Sequence, residues 1–501
     1  MAVLVGLDIG TTSTIGVLIR PDGATLATAS RPVRLHADRP AWSEEDPEEW
    51  WGNAGAILRE LAAAAATAGE TIAAVGVTGM LPAVVLLDAE GRVLRRSIQQ
   101  SDARAGAEVE AMRRAVDEAA FFRRTGCGIN QQLVAPTLRW LERHEPDVFG
   151  RIATCFGSYD FVTHRLTGVR TVEHNWALEA GFLELESRRL ADDLLALGGL
   201  RPGQVPAVRT PLDVVGAVTA AAAAATGLPE GTPVTAGVAD HAASTFAAGV
   251  VADGDVLLKF GGSGDVMAAT RAPIGDPRLY NDFHVIPGLF MPNGCMAASG
   301  AALNWLAATV AANLPRAAGQ TIHQALDRLA AATPPGAEGL VFLPYLLGEK
   351  TPLHDPDARG VLLGLGLHHG TGHVWRAALE GIAFGFRHHL DVFAEAGLAA
   401  ERFRASDGGA SSRIWMQIVA DVIQRPVRLL TGHPGSALGA AFVAGFAVGA
   451  FRRWDEIGRF VGLGAMIEPA PANAAVYDRL YGVYREVYER LRPLFPALAS
   501  A

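Results

Sequence analysis

Two carboxylates, Asp8 and Asp240, and three turns of small residues carry the chemistry open to this chain. Asp8 follows an apolar run, Val3–Leu7, and precedes Ile9-Gly10-Thr11-Thr12-Ser13 and a second apolar run, Gly16–Ile19. The pattern predicts a β-hairpin whose turn presents backbone N–H and hydroxyl donors to phosphate oxygens. A carboxylate two residues ahead of such a turn can hold a divalent metal, directly or through water. The alternative is an ordinary hairpin whose Thr and Ser satisfy only their own backbone. Gly261-Gly262-Ser263-Gly264 repeats the theme and is small enough for close backbone approach to a phosphate. Asp240 stands between the apolar Val234–Val238 and a helix-like Ala242–Ala248. There it could take the proton of a substrate hydroxyl attacking phosphorus, or simply cap the helix. Asp407-Gly408-Gly409-Ala410-Ser411-Ser412 follows an extended Glu401–Ser406 and precedes a helix from near Ile414. It offers bare backbone to a base or ribose, or is a plain strand-to-helix turn.

The elements that must position these groups alternate between strand-like and helix-like, the mark of α/β architecture. Ala24–Arg31 extends the opening hairpin; Pro47–Ala66 reads as a helix opened by Asp46-Pro47. Ile72–Val77, Ala83–Asp88 and Arg92–Ile98 read as strands, and Ala103–Ala119, Pro136–Arg143 and Asp147–Thr154 as helices. Pro202–Pro211 is a Pro-rich connector. Val256–Phe260 and Asp265–Ala269 flank the second small turn, so the chain reads as two similar halves with a cleft between lobes and a boundary near residues 240–255.

Bulk properties exclude several classes. At 501 residues the chain is long enough for two or three domains, and its net charge of −9 argues against a nucleic-acid partner. Three widely spaced cysteines, Cys127, Cys155 and Cys295, suit free thiols in a reducing compartment and have no zinc spacing. No apolar run is long enough to span a bilayer and no signal peptide is evident, so a soluble cytoplasmic protein without membrane partners is expected. Only Lys259 and Lys350 are lysines, and neither follows the glycine of a Walker A loop. His369 and His373 lack a third ligand, and these, with the pairs His368-His369 and His388-His389, read as exposed or capping histidines.

In order and combination these segments resemble the FGGY family of carbohydrate kinases. Leu7–Ser13, Pro40–Pro47 with Trp50-Trp51, Gly237–Ala243, Phe260–Gly264, Phe342–Pro352, Ala358–Gly360, Gly364–Gly381, Asp407–Asp421 and Ala437–Ala441 carry the similarity. The resemblance implies two ribonuclease H-like (actin/hexokinase-like ATPase) α/β domains flanking a deep cleft, residues 1–248 and 249–501. The N-terminal domain would hold the sugar, the first phosphate hairpin and the catalytic Asp; the C-terminal one would hold the second phosphate turn and the adenosine motif. It implies ATP and Mg²⁺, with Asp240 as base and Asp8 at the metal. Gly10, Thr11, Thr12, Ser13, Gly261, Gly262 and Ser263 would hold the phosphates. Gly300, Asn304, Gly408, Gly409 and Ser412 would hold the nucleoside. Met80, Leu81, Pro82, Asp102, Asn175, Asp240 and His241 would face the sugar.

The departures fall mainly on the acceptor side. Xylulokinases usually carry Gly-Gln-Met-His-Gly where this chain has Gly79-Met80-Leu81-Pro82-Ala83. Gln100 replaces a usual Trp, Thr137 a usual Lys, His241 a frequent Gln, Gly262 a common Thr and Asp407 a frequent Gly. The expected reaction is transfer of the ATP γ-phosphoryl group to a primary hydroxyl of a small sugar, first a ketopentose such as D-xylulose. Another ketose or a sugar alcohol (ribulose, an erythritol- or glycerol-like polyol) and a catalytically silent nucleotide-binding relative are the alternatives. Oligomeric state is not readable from the chain; the resemblance allows a homodimer.

Overall fold

The computed structural model describes residues 2–432 and 435–499. They form two compact units: Met1–Val251 with Asn281–Phe290 and Pro434–Phe460, and Ala252–Tyr280 with Met291–His433 and Val461–Ala501. The chain thus returns twice to its first unit after leaving it.

The first unit is built on a sheet of β1 (Ala2–Ile9), β2 (Ser13–Ile19), β3 (Thr25–Pro32), β4 (Thr71–Gly79), β5 (Val214–Ala217), β6 (Pro233–Thr235) and β7 (Val238–Ala239). Its order is β5-β6-β4-β1-β2-β3, with β7 also paired to β4. β1 is almost uniformly apolar because both faces of the sheet are covered. Added Cβ atoms on Gly6 and Gly76 would come 1.8 and 2.2 Å from Ala437 O and Ala440 O. Small residues there let the Gly435–Ala447 helix lie directly on the strands. Gly16 faces the other way and would meet Ile57, so the Pro47–Thr67 helix covers the opposite face.

The second unit repeats this plan with β8 (Asp255–Phe260), β9 (Gly264–Ala268), β10 (Asn293–Met296), β11 (Arg402–Ser406), β12 (Val427–Leu430) and β13 (Leu463–Ile467), in the order β10-β9-β8-β11-β12-β13. From β3 to β5 the successive pairings are antiparallel, antiparallel, parallel, parallel and antiparallel. From β10 to β13 they are the same. The repetition expected from two similar turns is therefore a repetition of a whole sheet.

Other expectations shift locally. The helix expected over Ala103–Ala119 is two, Gly106–Ala115 and Glu118–Thr125, because Asp117 caps a new start through a 3.0 Å bond from Ala120 N. Only Ser97–Ile98 of Arg92–Ile98 is strand, and Thr154–Phe156 is strand rather than a helix end. The Pro-rich connector contributes a short strand, Ala207–Arg209, paired with Thr171–Glu173. His388 and His389 are neither exposed nor caps. The Thr371–Glu395 helix buries both, and burial pushes their pKa values down to about 2 and about 4. His369 and His373 cap as expected, accepting from Gly366 N and Gly370 N, but they do not lack an acidic neighbour: the fold brings Glu338 beside them, its Oε2 3.4 Å from His373 Nε2 and 3.5 Å from His368 Nε2.

Candidate functional site

In the first unit, Ile9 and Ala239 both pair with Gly79, on opposite sides of β4. At about 4.8 Å per strand, their backbones lie roughly 10 Å apart. The topology therefore carries Asp8 and Asp240 to the same end of one sheet. Thr11 and Thr12, in the turn between β1 and β2, are exposed, as donors to a ligand must be. The Ser436 hydroxyl donates to Asp8 Oδ2 at 2.5 Å, fixing that carboxylate beside the turn. An oxygen-only group so placed suits a hard cation that shares its remaining positions between water and phosphate.

Asp240 is the first residue of the Asp240–Ala247 helix, whose N-cap is Ala239; the capping alternative is thereby removed. Its Oδ1 accepts from His241 N at 2.6 Å and faces His241 Nδ1 at 3.3 Å. With 36% of the side chain exposed, the carboxylate stays open to a ligand.

The remaining acceptor-side residues are more heavily engaged than their sequence context shows. Asp102 Oδ1 receives Arg104 N and Nε, and Oδ2 receives Ser43 N and Arg104 Nη2. Four donors fill a carboxylate's lone-pair positions. Asn175 is buried and exchanges two bonds with Phe283, at 2.9 and 2.7 Å. Met80, Leu81 and Ala83 are buried, and Ser158 Oγ donates to Met80 O.

In the second unit, Gly261, Gly262, Gly300, Asn304, Gly408, Gly409 and Ser412 line one cavity of about 590 Å³, a size suited to a nucleoside. Ser263 completes the turn, its hydroxyl 3.4 Å from Asp265 Oδ2. Gly261 O and Gly262 O accept from Gly300 N and from Ser299 N and Ala301 N, stitching the turn to the start of the Gly300–Val310 helix. A Cβ on Gly300 would lie 2.5 Å from Gly261 O.

Several lining or supporting groups escaped sequence reasoning. Thr321, His323, Gln324, Asp327 and Trp375 line the same cavity. Thr321 caps the Ile322–Ala331 helix and the others lie on it or on the Thr371–Glu395 helix; only the capping-box pair Thr321 and Gln324 leaves a local signal. In the first unit, Glu179, Asp282 and Ser436 come from distant segments. His241 Nε2 lies 2.9 Å from Asp282 Oδ2 and 3.6 Å from Glu179 Oε1. Burial works against a charged His241 ring, but the Asp282 charge and the hydrogen bonds to Asp240 and Asp282 outweigh it and hold its pKa well above the ordinary value. Burial, then the Asp282 charge, drives the Glu179 carboxyl well above the usual range. No helix among the described residues is long and apolar enough to cross a membrane.

Known proteins resemble this chain over most of its length. The family model described as the FGGY family of carbohydrate kinases, N-terminal domain, matches residues 3–247, and its C-terminal counterpart matches 256–448. The solved structure of xylulose kinase from Rhodospirillum rubrum is 54% identical, covers 98% of this chain and 99% of its own, and superimposes with a TM-score of 0.95. The xylulose kinase of Bacillus subtilis (strain 168) is 30% identical over 100% of this chain and 99% of its own length. A glycerol kinase of Citrifermentans bemidjiense is 31% identical over 90% of this chain and 91% of its own.

Proposed function

The chain belongs to the FGGY family of carbohydrate kinases, and from that premise we propose that it transfers the γ-phosphoryl group of ATP to a primary hydroxyl of D-xylulose, with Mg²⁺. As a family member it is a phosphotransferase acting on an alcohol group. The observation that carries the substrate is the 54% identity, over essentially the whole chain, to the Rhodospirillum rubrum xylulose kinase. Three free thiols fit a cytoplasmic location.

In this reading Asp240 orients the acceptor hydroxyl and takes its proton late, as the bond to phosphorus forms. Gly10–Ser13 and Gly261–Ser263 supply donors to the phosphates, and the cavity lined by Gly300, Asn304, Gly408, Gly409 and Ser412 takes the nucleoside. Asp8, held by Ser436, would share in binding Mg²⁺, which when bound neutralises charge on the transferring phosphates. Because Asp102 and Asn175 are already engaged, they act by holding the acceptor pocket in shape.

One observation favours a second reading. The Leu81-Pro82 segment offers little polar recognition, and Leu81 is buried, which suits an acceptor with fewer hydroxyls to satisfy, such as a short polyol. A coupled ADP-release assay across ketopentoses, ketohexoses and polyols decides between them. Asp240→Asn should lower turnover by at least about 10²-fold while ATP binding persists; activity that survives the substitution would refute the mechanism.

A further inference from the structure

His241 meets carboxylates at both ring nitrogens. Nδ1 faces Asp240 Oδ1 at 3.3 Å, and Nε2 faces Asp282 Oδ2 at 2.9 Å and Glu179 Oε1 at 3.6 Å. A neutral imidazole has one N–H and one lone pair, so one carboxylate would then face a lone pair. Only the doubly protonated ring donates on both sides. The titratable groups around it come from three elements. Asp240 belongs to its own helix, Asp282 to the Asn281–Phe290 segment and Glu179 to the end of the His174–Glu179 helix. Behind them the Cys127 thiol donates to Leu178 O.

This assembly is anchored. Asp282 is 2% exposed, and its segment is tied down by the paired Asn175–Phe283 bonds and by Asn281 Nδ2 donating to Gly126 O. The His241 side chain is 23% exposed and Asp240 36%, so solvent access rises from the buried acid outward to the candidate base. Asp240 Oδ1 is occupied by His241, through its backbone N–H and its ring, whereas Oδ2 takes no hydrogen bond among the described residues.

We propose that His241 is a positioning residue for Asp240: as an imidazolium locked by Asp282, it fixes the carboxylate through Oδ1, leaving Oδ2 for the substrate hydroxyl. The inference rests on the kinase reading above and deepens it. Asp282 and Glu179, which no local motif marks, become part of the machinery through His241. The raised pKa of the ring, produced against burial by the Asp282 charge and the Asp240 and Asp282 bonds, agrees with the geometry.

The test uses the full chain with D-xylulose and ATP from pH 5 to 9, comparing wild type, His241→Gln and Asp282→Asn, each checked for its thermal midpoint. With His241→Gln, kcat should fall about tenfold, short of the loss at the base itself, with KM for ATP within about twofold. The alkaline limb of kcat, set by loss of the imidazolium proton, should vanish, because the amide does not titrate. With Asp282→Asn, the alkaline limb should drop toward the ordinary histidine range, about 6.5. Limbs that stay in place in both variants overturn the proposal, whatever happens to kcat, since a merely structural residue moves neither. Activity that survives Asp240→Asn overturns the kinase mechanism and this inference with it. Static limbs alongside an inactive Asp240→Asn remove the inference alone.

Discussion

Asp407 adopts φ +72° and ψ −176°, a region that belongs almost entirely to glycine and costs other residues on the order of 1–3 kcal/mol. It stands next to Gly408 and Gly409 of the cavity proposed for the nucleoside, with its carboxylate directed at Gly261. Asp407→Gly should relieve that strain, less about 0.5–1 kcal/mol for the added freedom of the unfolded chain. The expected gain of about 1 kcal/mol corresponds to a thermal midpoint roughly 2–4 °C higher for a unit of this size, measured by scanning calorimetry. An unchanged midpoint would mean that the carboxylate makes compensating contacts at the turn. The same scale shows why a residue's type can mislead. Asp102 and Asn175 have the chemistry to bind hydroxyls, but their polar atoms are taken by Ser43, Arg104 and Phe283, partners that no local pattern announces. His241, next in sequence to Asp240, was visible; the acids that give it a role lie 41 and 62 positions away.

At the scale of elements, what the sequence revealed best was the hairpins. Apolar runs of strand length around turns of Gly, Thr and Ser leave few other solutions, and both turns form between antiparallel strands. The residues expected at the nucleoside line one cavity for a related reason. Their small residues sit where backbone must approach backbone, and close approach writes itself into sequence as glycine. Gly300 tests this. Gly300→Ala would push a methyl to 2.5 Å from Gly261 O, moving a turn proposed to hold phosphate. ATP affinity, read by calorimetric titration, should fall about 10- to 100-fold with the far-UV spectrum unchanged. Signature residues farther on have a different purpose. Arg376 and Glu380 are buried together, bonded to Tyr477, Ala330 O, Thr333 O and Gly336 N. They hold the second unit's helices in place.

At the scale of the molecule, the division into units is discontinuous, which local patterns cannot foretell. The first unit is completed only by Asn281–Phe290 and by the stretch containing the Gly435–Ala447 helix. That helix covers the face of the sheet that bears Gly6 and Gly76, and its Phe442 packs on Phe246 at 5.2 Å between ring centres. A fragment ending at residue 251 would leave this apolar face open to water. It should therefore lack a cooperative thermal transition and bind hydrophobic dyes, whereas the whole chain should unfold cooperatively; a sharp transition in the fragment would contradict the assignment. The same threading sets a clock on biosynthesis. Once residue 251 has been made, roughly 195 more must follow before the covering helix is complete, on the order of 10–40 s at ordinary elongation rates. Throughout that interval the nascent sheet waits on the ribosome with one face bare, so the cell's demand for chaperones should fall on the first half of the chain.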